Sequence, residues 1–252
     1  VKLSTSNFYL GGNGNADGTL SAGKSNFIYN GNQPQRIKVA HYYDLTIDKE
    51  SRAFTKANTG QLIVENEARV INGTLDFDSE LCYLNLLSVE DSVIFSSKYQ
   101  EKTIRDLNIS SSGIFLLDYD EEVFISGNIV CNGVLKSNNG IIHFIDSINN
   151  QVLSGTGEVQ LSKVEISKKE SQLTFETDVN IIDTLHFNSG SLQLNSSVVN
   201  LSNSGYISNE SSSNSICGKN ESFIKSHQHL AIGEHKNING LGVSLNTRTP
   251  LG

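Results

Sequence analysis

Short apolar runs that recur at a nearly constant spacing constrain this chain more than any other feature. Between Val159 and Leu201, pairs of apolar residues return every six to nine residues, with polar residues between them. The pairs are Val164/Ile166, Leu173/Phe175, Val179/Ile181, Leu185/Phe187, Leu192/Leu194 and Val199/Leu201. Alternation at period two is typical of β-strands, and no segment between the pairs is long enough for a helix. The sequence therefore predicts an all-β chain of many short strands.

A longer repeat groups these strands into units. The segment "FIYNGNQPQRIKVAHYYDLTI", which begins at Phe27, aligns with residues 93–109 and 141–166. Each unit has an apolar strand, a polar turn containing Gln, and a last strand that ends in Ile47, Ile109 or Ile166. These three residues lie 62 and then 57 residues apart. A period near 60 predicts about three turns of roughly twenty residues, and each turn is too small to bury its apolar side chains alone.

Stacked turns of this size form a parallel β-solenoid, here expected to be a right-handed β-helix, with equivalent residues about 4.8 Å apart along the axis. Asn and Ser, about a quarter of the chain, suit its tight corners, and the 2 Pro leave most strand donors intact. An antiparallel β-sandwich or a propeller also contains many short strands and stays an alternative. The close spacing of the apolar pairs favours the solenoid, because hairpin strands are usually longer and joined by clearer turns.

Three regions are expected along the chain. Residues 1–26 are a Gly- and Asn-rich loop or a loosely wound first turn, residues 27–207 form the solenoid of three repeat units, and residues 208–252 hold a polar excursion and the final strands. No polar capping element is evident in the last residues, although a solenoid needs a cap at each end. The chain is therefore expected to continue into a further domain.

Charge and hydropathy exclude several classes of protein. The net charge of −8 argues against nucleic acid as a partner, because phosphate binding needs clustered Lys and Arg. No apolar run reaches the roughly 18 residues of a transmembrane segment. Cys82, Cys131 and Cys217 lie too far apart for a zinc knuckle or a redox CxxC motif. Cys131 is expected to be a small buried strand residue.

One acidic run is the sharpest candidate for a site. Asp118, Asp120 and Glu122 alternate in "LDYDEEVF", so their carboxylates are expected to project from one side of a strand, where they could bind a ligand or calcium. In β-helical polysaccharide lyases, calcium acts together with a basic residue, and Arg105 is the nearest candidate here. A solvated corner of the fold explains the same run without any site.

The histidines give a weaker signal. His227 and His229 alternate in "HQHLAIGEH", and with His235 they are candidates for a metal site, although surface histidines explain the same pattern. His143 is isolated within an apolar strand and is expected to be packed.

Tyrosines are candidates for stacking against sugars. Tyr42 and Tyr43 are neighbours in one strand, so one of the two rings must point outward if the strand is regular. The alternative is that the ring covers the rim of the core.

The repeat motifs resemble the β-rich repeat regions of large secreted surface proteins of the Bacteroidetes group, which the type IX system exports. These regions show the motif F-x-N-L-T-I followed by V-x-G-T-L-x-L. Here the counterparts of the first motif are "HYYDLTID", "IRDLNIS" and "SKVEISK", and those of the second are "INGTLDF", "CNGVLKS" and "SGSLQLN". The resemblance covers most of the chain and implies a secreted or cell-surface location, but it carries over no catalytic residues.

These observations predict a structural or adhesive module of a large extracellular cell-surface protein, acting as a stalk or as a ligand-binding surface, and not as an enzyme. The partners expected are other domains of the same polypeptide, the secretion or anchoring machinery, and glycans or other surface ligands. No cofactor is expected, with calcium as a possible exception. The alternative is an extracellular polysaccharide-active β-helix enzyme, either a lyase or a hydrolase.

Overall fold

In a computed structural model, the chain winds into a parallel β-solenoid of about nine turns. The structure describes residues 6–12, 23–49, 54–57, 61–77, 81–96, 101–118, 120–226, 228, 230–243 and 245–249. The strands are β1 (Asn7–Leu10), β2 (Asn26–Tyr29), β3 (Gln35–Ile37), β4 (His41–Asp48), β5 (Phe54–Ala57), β6 (Gln61–Asn72), β7 (Thr74–Phe77), β8 (Leu81–Val89), β9 (Ser92–Phe95), β10 (Lys102–Ile109), β11 (Ile114–Leu117), β12 (Glu122–Ile125), β13 (Ile129–Cys131), β14 (Val134–Ser137), β15 (Ile141–Phe144), β16 (Gln151–Ser154), β17 (Glu158–Phe175), β18 (Val179–Asn195), β19 (Val198–Leu201), β20 (Tyr206–Ser208), β21 (Ile216–Lys219), β22 (Phe223–Ser226), β23 (Gly233–His235) and β24 (Leu245–Thr247). A 3₁₀ helix spans Ile238–Gly240.

Each turn places one strand segment on each of three faces. The first face carries β1, β2, β13, β16, β21 and the C-terminal parts of β4, β6, β8, β10, β17 and β18. The second face carries β3, β5, β7, β9, β11, β14, β19, β22 and the N-terminal parts of β17 and β18. The third face carries β12, β15, β20, the N-terminal parts of β4, β6, β8 and β10, and the middle parts of β17 and β18.

All pairings in this 22-stranded sheet are parallel, and the separate pair β23–β24 is antiparallel. The prediction of a parallel solenoid is therefore confirmed, and the antiparallel sandwich is excluded. The division of the chain at residues 26 and 207 stays a prediction.

Equivalent residues on neighbouring turns are about twenty residues apart, as the repeat predicts. Ile47 and Ile109 lie on one ladder of the first face, three turns apart, with Val70 and Val89 between them. Ile166 instead lies on the third face. The last strands of the first two repeat units are therefore equivalent, but the first unit begins on the first face at Phe27 and the second begins on the second face at Val93. The third unit ends on a different face, so its alignment is wrong in register.

The core is a column of inward-pointing side chains that stack from turn to turn. Strand residues alternate between buried and more exposed, so each strand gives one row to the core. On the second face, the rings of Phe77 and Phe95 stack at 4.8 Å, and Phe115 follows at 5.3 Å. Cys131 is fully buried in its strand, as expected. Stacking of this kind lets small turns share one continuous core.

One corner of the solenoid holds a buried ammonium group in a cage of oxygen atoms. Nζ of Lys168 donates to the main-chain oxygens of Asp146 and Asn149, the latter at 2.6 Å, and to Oε1 of Gln151 at 2.9 Å. Nε2 of Gln151 donates in turn to the main-chain oxygen of Ile125 on the preceding turn, at 2.9 Å. We call this arrangement a lysine cage, and it links three successive turns through side chains.

A second lysine cage lies near the start of the chain. Nζ of Lys49 donates to the main-chain oxygen of Gln33 at 3.1 Å and to Oε1 of Gln35 at 2.8 Å. Nε2 of Gln35 reaches the main-chain oxygen of Leu10 on the preceding turn, at 2.6 Å. In the first and third repeat units, the Gln of the polar turn is thus a buried bridge between turns, and Gln100 of the second unit lies outside the described residues.

Residues near the 3₁₀ helix cover the end of the third face. Asn239 is buried, its side-chain amide donates to the main-chain oxygen of Gly205, and Leu241 packs against the core. A Cβ at Gly240, where φ is +79°, would clash with the main-chain oxygen of Ile207. The loop around Asn239 therefore covers β20, the last strand of the third face, and the expected continuation into a further domain stays a prediction.

Within the described residues, no helix has the length and apolar character to cross a membrane.

Candidate functional site

A groove on the third face gathers two of the predicted site residues, Asp120 and Glu122. The cavity has a volume of about 460 Å³. We call it the lateral groove, and it is lined by Glu101, Asp120, Glu122, Phe124, Asn139, Ile141 and Lys163. Phe124 and Ile141 form an apolar wall, and carboxylates, an amide and an ammonium group surround them. An apolar wall joined to a few polar groups is a composition that ligand sites often have.

Side chains that point outward from neighbouring parallel strands line the lateral groove. Glu122 pairs with Ile141, and Ile141 pairs with Lys163, each on the next turn. Lys102 pairs with Val123, and continuing this register by one residue places Glu101 beside Glu122. Because every second strand residue points outward, these side chains stand in one line along the solenoid axis.

His143 lies next to the lateral groove in an unusual setting. Its ring stacks on Phe124, with centroids 4.3 Å apart and an angle of 11° between the planes. Nε2 lies 3.5 Å from Oε2 of Glu122, and Nδ1 lies 3.3 Å from Oε2 of Glu165. Asn188 donates to the same Glu165 oxygen at 2.9 Å and holds that carboxylate in place. The histidine is packed, as expected, but it also joins two carboxylates of neighbouring turns.

Lys163 is the basic residue of the lateral groove. Its Nζ lies 3.7 Å from Oδ2 of Asp183, which is outside the groove. Three carboxylates therefore face one ammonium group that already has a carboxylate neighbour. The electrostatic character of the groove is acidic.

The predicted acidic run is only partly brought together. Asp120 and Glu122 are exposed and line the lateral groove, whereas Asp118 lies outside it and accepts a hydrogen bond from Asn138 at 2.9 Å. Arg105 pairs with Asp106 at 2.8 Å and does not line the groove either. Arg105 is therefore not placed to act as the basic residue of a lyase mechanism in the lateral groove.

The two tyrosines separate into an inner and an outer ring. Tyr42 is 1% exposed, and its hydroxyl donates to the main-chain oxygen of Lys38 at 2.6 Å. Burial raises the pKa of Tyr42 well above its ordinary value. The prediction that Tyr42 binds a ligand is wrong, because its ring belongs to the core. Tyr43 is half-buried, and Nζ of Lys24 lies 5.9 Å from its ring centroid.

The predicted metal site finds no geometric support among the residues that the structure covers. No group of three or more His, Cys, Asp or Glu side chains comes together there in a way that could hold a metal ion. His227 and His229 lie outside the described residues. His235 is described, and its Nε2 donates to the main-chain oxygen of Ala231 at 2.7 Å.

Sequence reasoning missed most of the lateral groove. Glu101, Ile141 and Lys163 come from different turns and are far apart in sequence, and Asn139 lies two residues before Ile141. Phe124 ends the predicted acidic run but was not singled out. The signal that could have found them is the turn length itself, because Glu101, Glu122, Ile141 and Lys163 follow one another at intervals of 19 to 22 residues. A search at that interval for outward polar and aromatic residues would place them in one row.

No protein family, no curated protein and no solved structure matches this chain. Its class therefore rests on the fold and the site: a parallel β-solenoid with an acidic, aromatic groove on one lateral face.

Proposed function

We propose that this chain is a structural and adhesive module of a large extracellular cell-surface protein, and that it binds a glycan in the lateral groove. Its partners would be other domains of the same polypeptide, the machinery that secretes or anchors it, and the glycan itself. The resemblance of its motifs to secreted repeat proteins supports the location. The net charge of −8 favours solubility outside the cell.

The solenoid supports the stalk part of this proposal. Strands on each face are hydrogen-bonded to the turn before and the turn after, so the ladder runs continuously along the axis. Paired strands open less readily than mobile loops, and proteases attack open segments first. A rod of this kind is suited to projecting a binding surface from a cell.

The single observation that carries the adhesive part is the wall of Phe124 and Ile141 between polar side chains. An aromatic face packs against the apolar face of a sugar ring, while carboxylates and the Asn139 amide hydrogen-bond its hydroxyl groups. The lining residues Glu122, Ile141 and Lys163 follow one another on successive turns along the solenoid axis, which suits a chain of sugars better than a compact small molecule.

Replacing Phe124 by Ala tests this proposal. We expect the variant to bind its glycan about tenfold more weakly, because a central aromatic residue often contributes more than 1 kcal/mol to binding. A glycan array followed by calorimetry on the best ligand measures the change. Tyr9→Ala is the matched control, because Tyr9 is 64% exposed and lies on the first face. Equal loss in both variants, or binding by neither the variant nor the parent chain, would leave only the spacer role.

The second candidate is an enzyme that acts on polysaccharides, and the contacts of His143 favour it. An imidazole between Glu122 and Glu165 is suited to proton transfer, since a neighbouring carboxylate orients the ring. This candidate predicts that Glu165→Gln lowers cleavage of a polysaccharide at least about 100-fold. Reducing-end assays measure cleavage, and thermal unfolding confirms that the variant is folded. Absence of cleavage by the parent chain on a broad polysaccharide panel contradicts it.

A further inference from the structure

Two carboxylates of the lateral groove stand side by side on neighbouring turns. The register of β10 and β12 places Glu101 beside Glu122, and both side chains line the cavity. Like charges directly opposite each other on a sheet are destabilising. Asp120 adds a third carboxylate to the same cavity. A cation bound among these groups would relieve their repulsion.

A second observation points to a ligand at the same place. His143 is 8% exposed, and its Nε2 forms no hydrogen bond among the described residues. This atom is directed towards Glu122, whose Oε2 lies 3.5 Å away on the wall of the groove. Buried polar atoms normally have a hydrogen-bond partner. A ligand that reaches Nε2 of His143, or that moves the Glu122 carboxylate closer to it, would supply the missing hydrogen-bond partner.

The geometry distinguishes an organic cation from a metal ion. The described carboxylates and histidines include no group of three that could hold a metal ion. Several ammonium groups along one ligand need no such convergence, because each can donate hydrogen bonds to a single carboxylate. Phe124 adds an aromatic face, which also attracts cations.

We infer that the lateral groove recognises the primary ammonium group of an amino sugar, so that the preferred ligand is a polysaccharide of hexosamine units with free amines. This inference rests on the proposed function, in which the groove binds a glycan. The apolar wall takes the sugar ring, and the separate carboxylates of Glu101, Asp120 and Glu122 take the ammonium groups of successive sugar units. Uronic acids are disfavoured by the same carboxylates.

A lysine-rich peptide is the competing cationic ligand, and the backbone of this face argues against it. Extended peptides usually gain affinity by adding a strand to a free sheet edge. On the third face, β12 is hydrogen-bonded to β10 on one side and to β15 on the other, so the groove has no free edge. Recognition must therefore use side chains alone, which suits a sugar ring.

The test compares two oligosaccharides of equal length with the full chain. One is an oligomer of β-1,4-linked glucosamine, and the other is its fully N-acetylated counterpart. We expect calorimetry to show at least about tenfold tighter binding of the free-amine oligomer, because charge-assisted hydrogen bonds are stronger than neutral ones. Glu122→Gln should remove most of this preference, whereas Glu170→Gln, an exposed residue outside the groove, should keep it.

A second readout separates binding from folding. Because Glu101 and Glu122 repel each other, Glu122→Gln should raise the Tm of the unbound protein by about 1 to 3 °C while it weakens binding. A fall in Tm together with weaker binding would point to damage of the fold and overturn the assignment of Glu122.

The outcomes also separate the two proposals. Equal binding of the acetylated and free-amine oligomers overturns the inference and leaves the glycan-binding proposal in place. Binding of neither oligomer and of no other glycan overturns both. Tighter binding of a lysine oligomer than of the glucosamine oligomer overturns the sugar assignment and identifies a peptide ligand.

Discussion

Replacing Lys102 by Met should lower the free energy of unfolding by about 3 to 5 kcal/mol, because it removes one member of a buried ion pair. Lys102 points into the core, and both Lys102 and Glu121 are fully buried. Nζ of Lys102 lies 3.2 Å from Oε1 of Glu121 and 5.4 Å from the centroid of the Phe95 ring. The Met side chain fills a similar volume, so the loss reports the Glu121 carboxylate left in the core without this ammonium group. Urea unfolding followed by circular dichroism measures it.

A double variant makes this prediction specific to charge. Lys102→Met combined with Glu121→Leu removes both charges and should recover most of the lost stability, because apolar residues can replace a buried ion pair at little cost. Lys136→Met is the surface control, since the Lys136–Glu158 pair is partly exposed and should cost less than about 1 kcal/mol. If Lys102→Met costs no more than Lys136→Met, the buried pair does not hold the core in the way that its geometry indicates.

The class of fold could be predicted because the patterns that define it can be recognised in short stretches of the sequence. Alternation at period two and a turn of about twenty residues are both visible in a single sequence, and Ile47 and Ile109 were correctly placed on equivalent positions. The third unit failed because corner lengths vary. Partners on the first face are 20 residues apart at Val89 and Ile109 but 22 at Ile109 and Cys131. They are 24 apart at Ile129 and Leu153, so a spacing of 57 residues after Ile109 ends on the third face.

The lateral groove was predictable only in part for a related reason. Asp120 and Glu122 are neighbours in sequence, so a local pattern finds them. Lys163 joins them because a particular number of residues separates the turns, and that number changes from turn to turn. Tyr42 and Tyr43 do alternate, with Tyr42 buried and Tyr43 partly exposed. Alternation alone does not say which of two neighbouring aromatic residues faces the core, so both stayed candidates in the sequence.

The lysine cages could not be predicted, although each includes the Gln that the sequence repeat singles out. A polar turn with Gln and Lys suggests an exposed corner, because Lys is rarely buried. In the structure, Lys168 and Lys49 are 0% and 2% exposed. Burial lowers the pKa of both, in the case of Lys168 to about 8, although the nearby Asp146 opposes this shift. Which carbonyl groups converge at a corner depends on the tertiary structure.

The Lys168 cage should make the protein more stable as the pH rises from about 8 towards 10.5. In this window the unfolded chain still binds the Lys168 proton, whereas the folded chain has released it, so higher pH favours the folded state. A shift of this size corresponds to a gain of up to about 3 kcal/mol across the window. Below pH 8 both states are protonated, and the dependence should vanish.

The measurement is the difference in unfolding free energy between the parent chain and Lys168→Met at pH 7, 8, 9 and 10. A difference is needed because burial raises the pKa of Cys82 and Cys131 to about 12 and about 11, which lowers stability above pH 9 in both proteins. Lys169→Met is the matched control, since this neighbouring lysine is exposed and should leave the pH dependence unchanged. Parallel curves for the parent chain and Lys168→Met would mean that the three oxygen acceptors keep the ammonium charged, so that the cage tolerates a buried cation without favouring its neutral form.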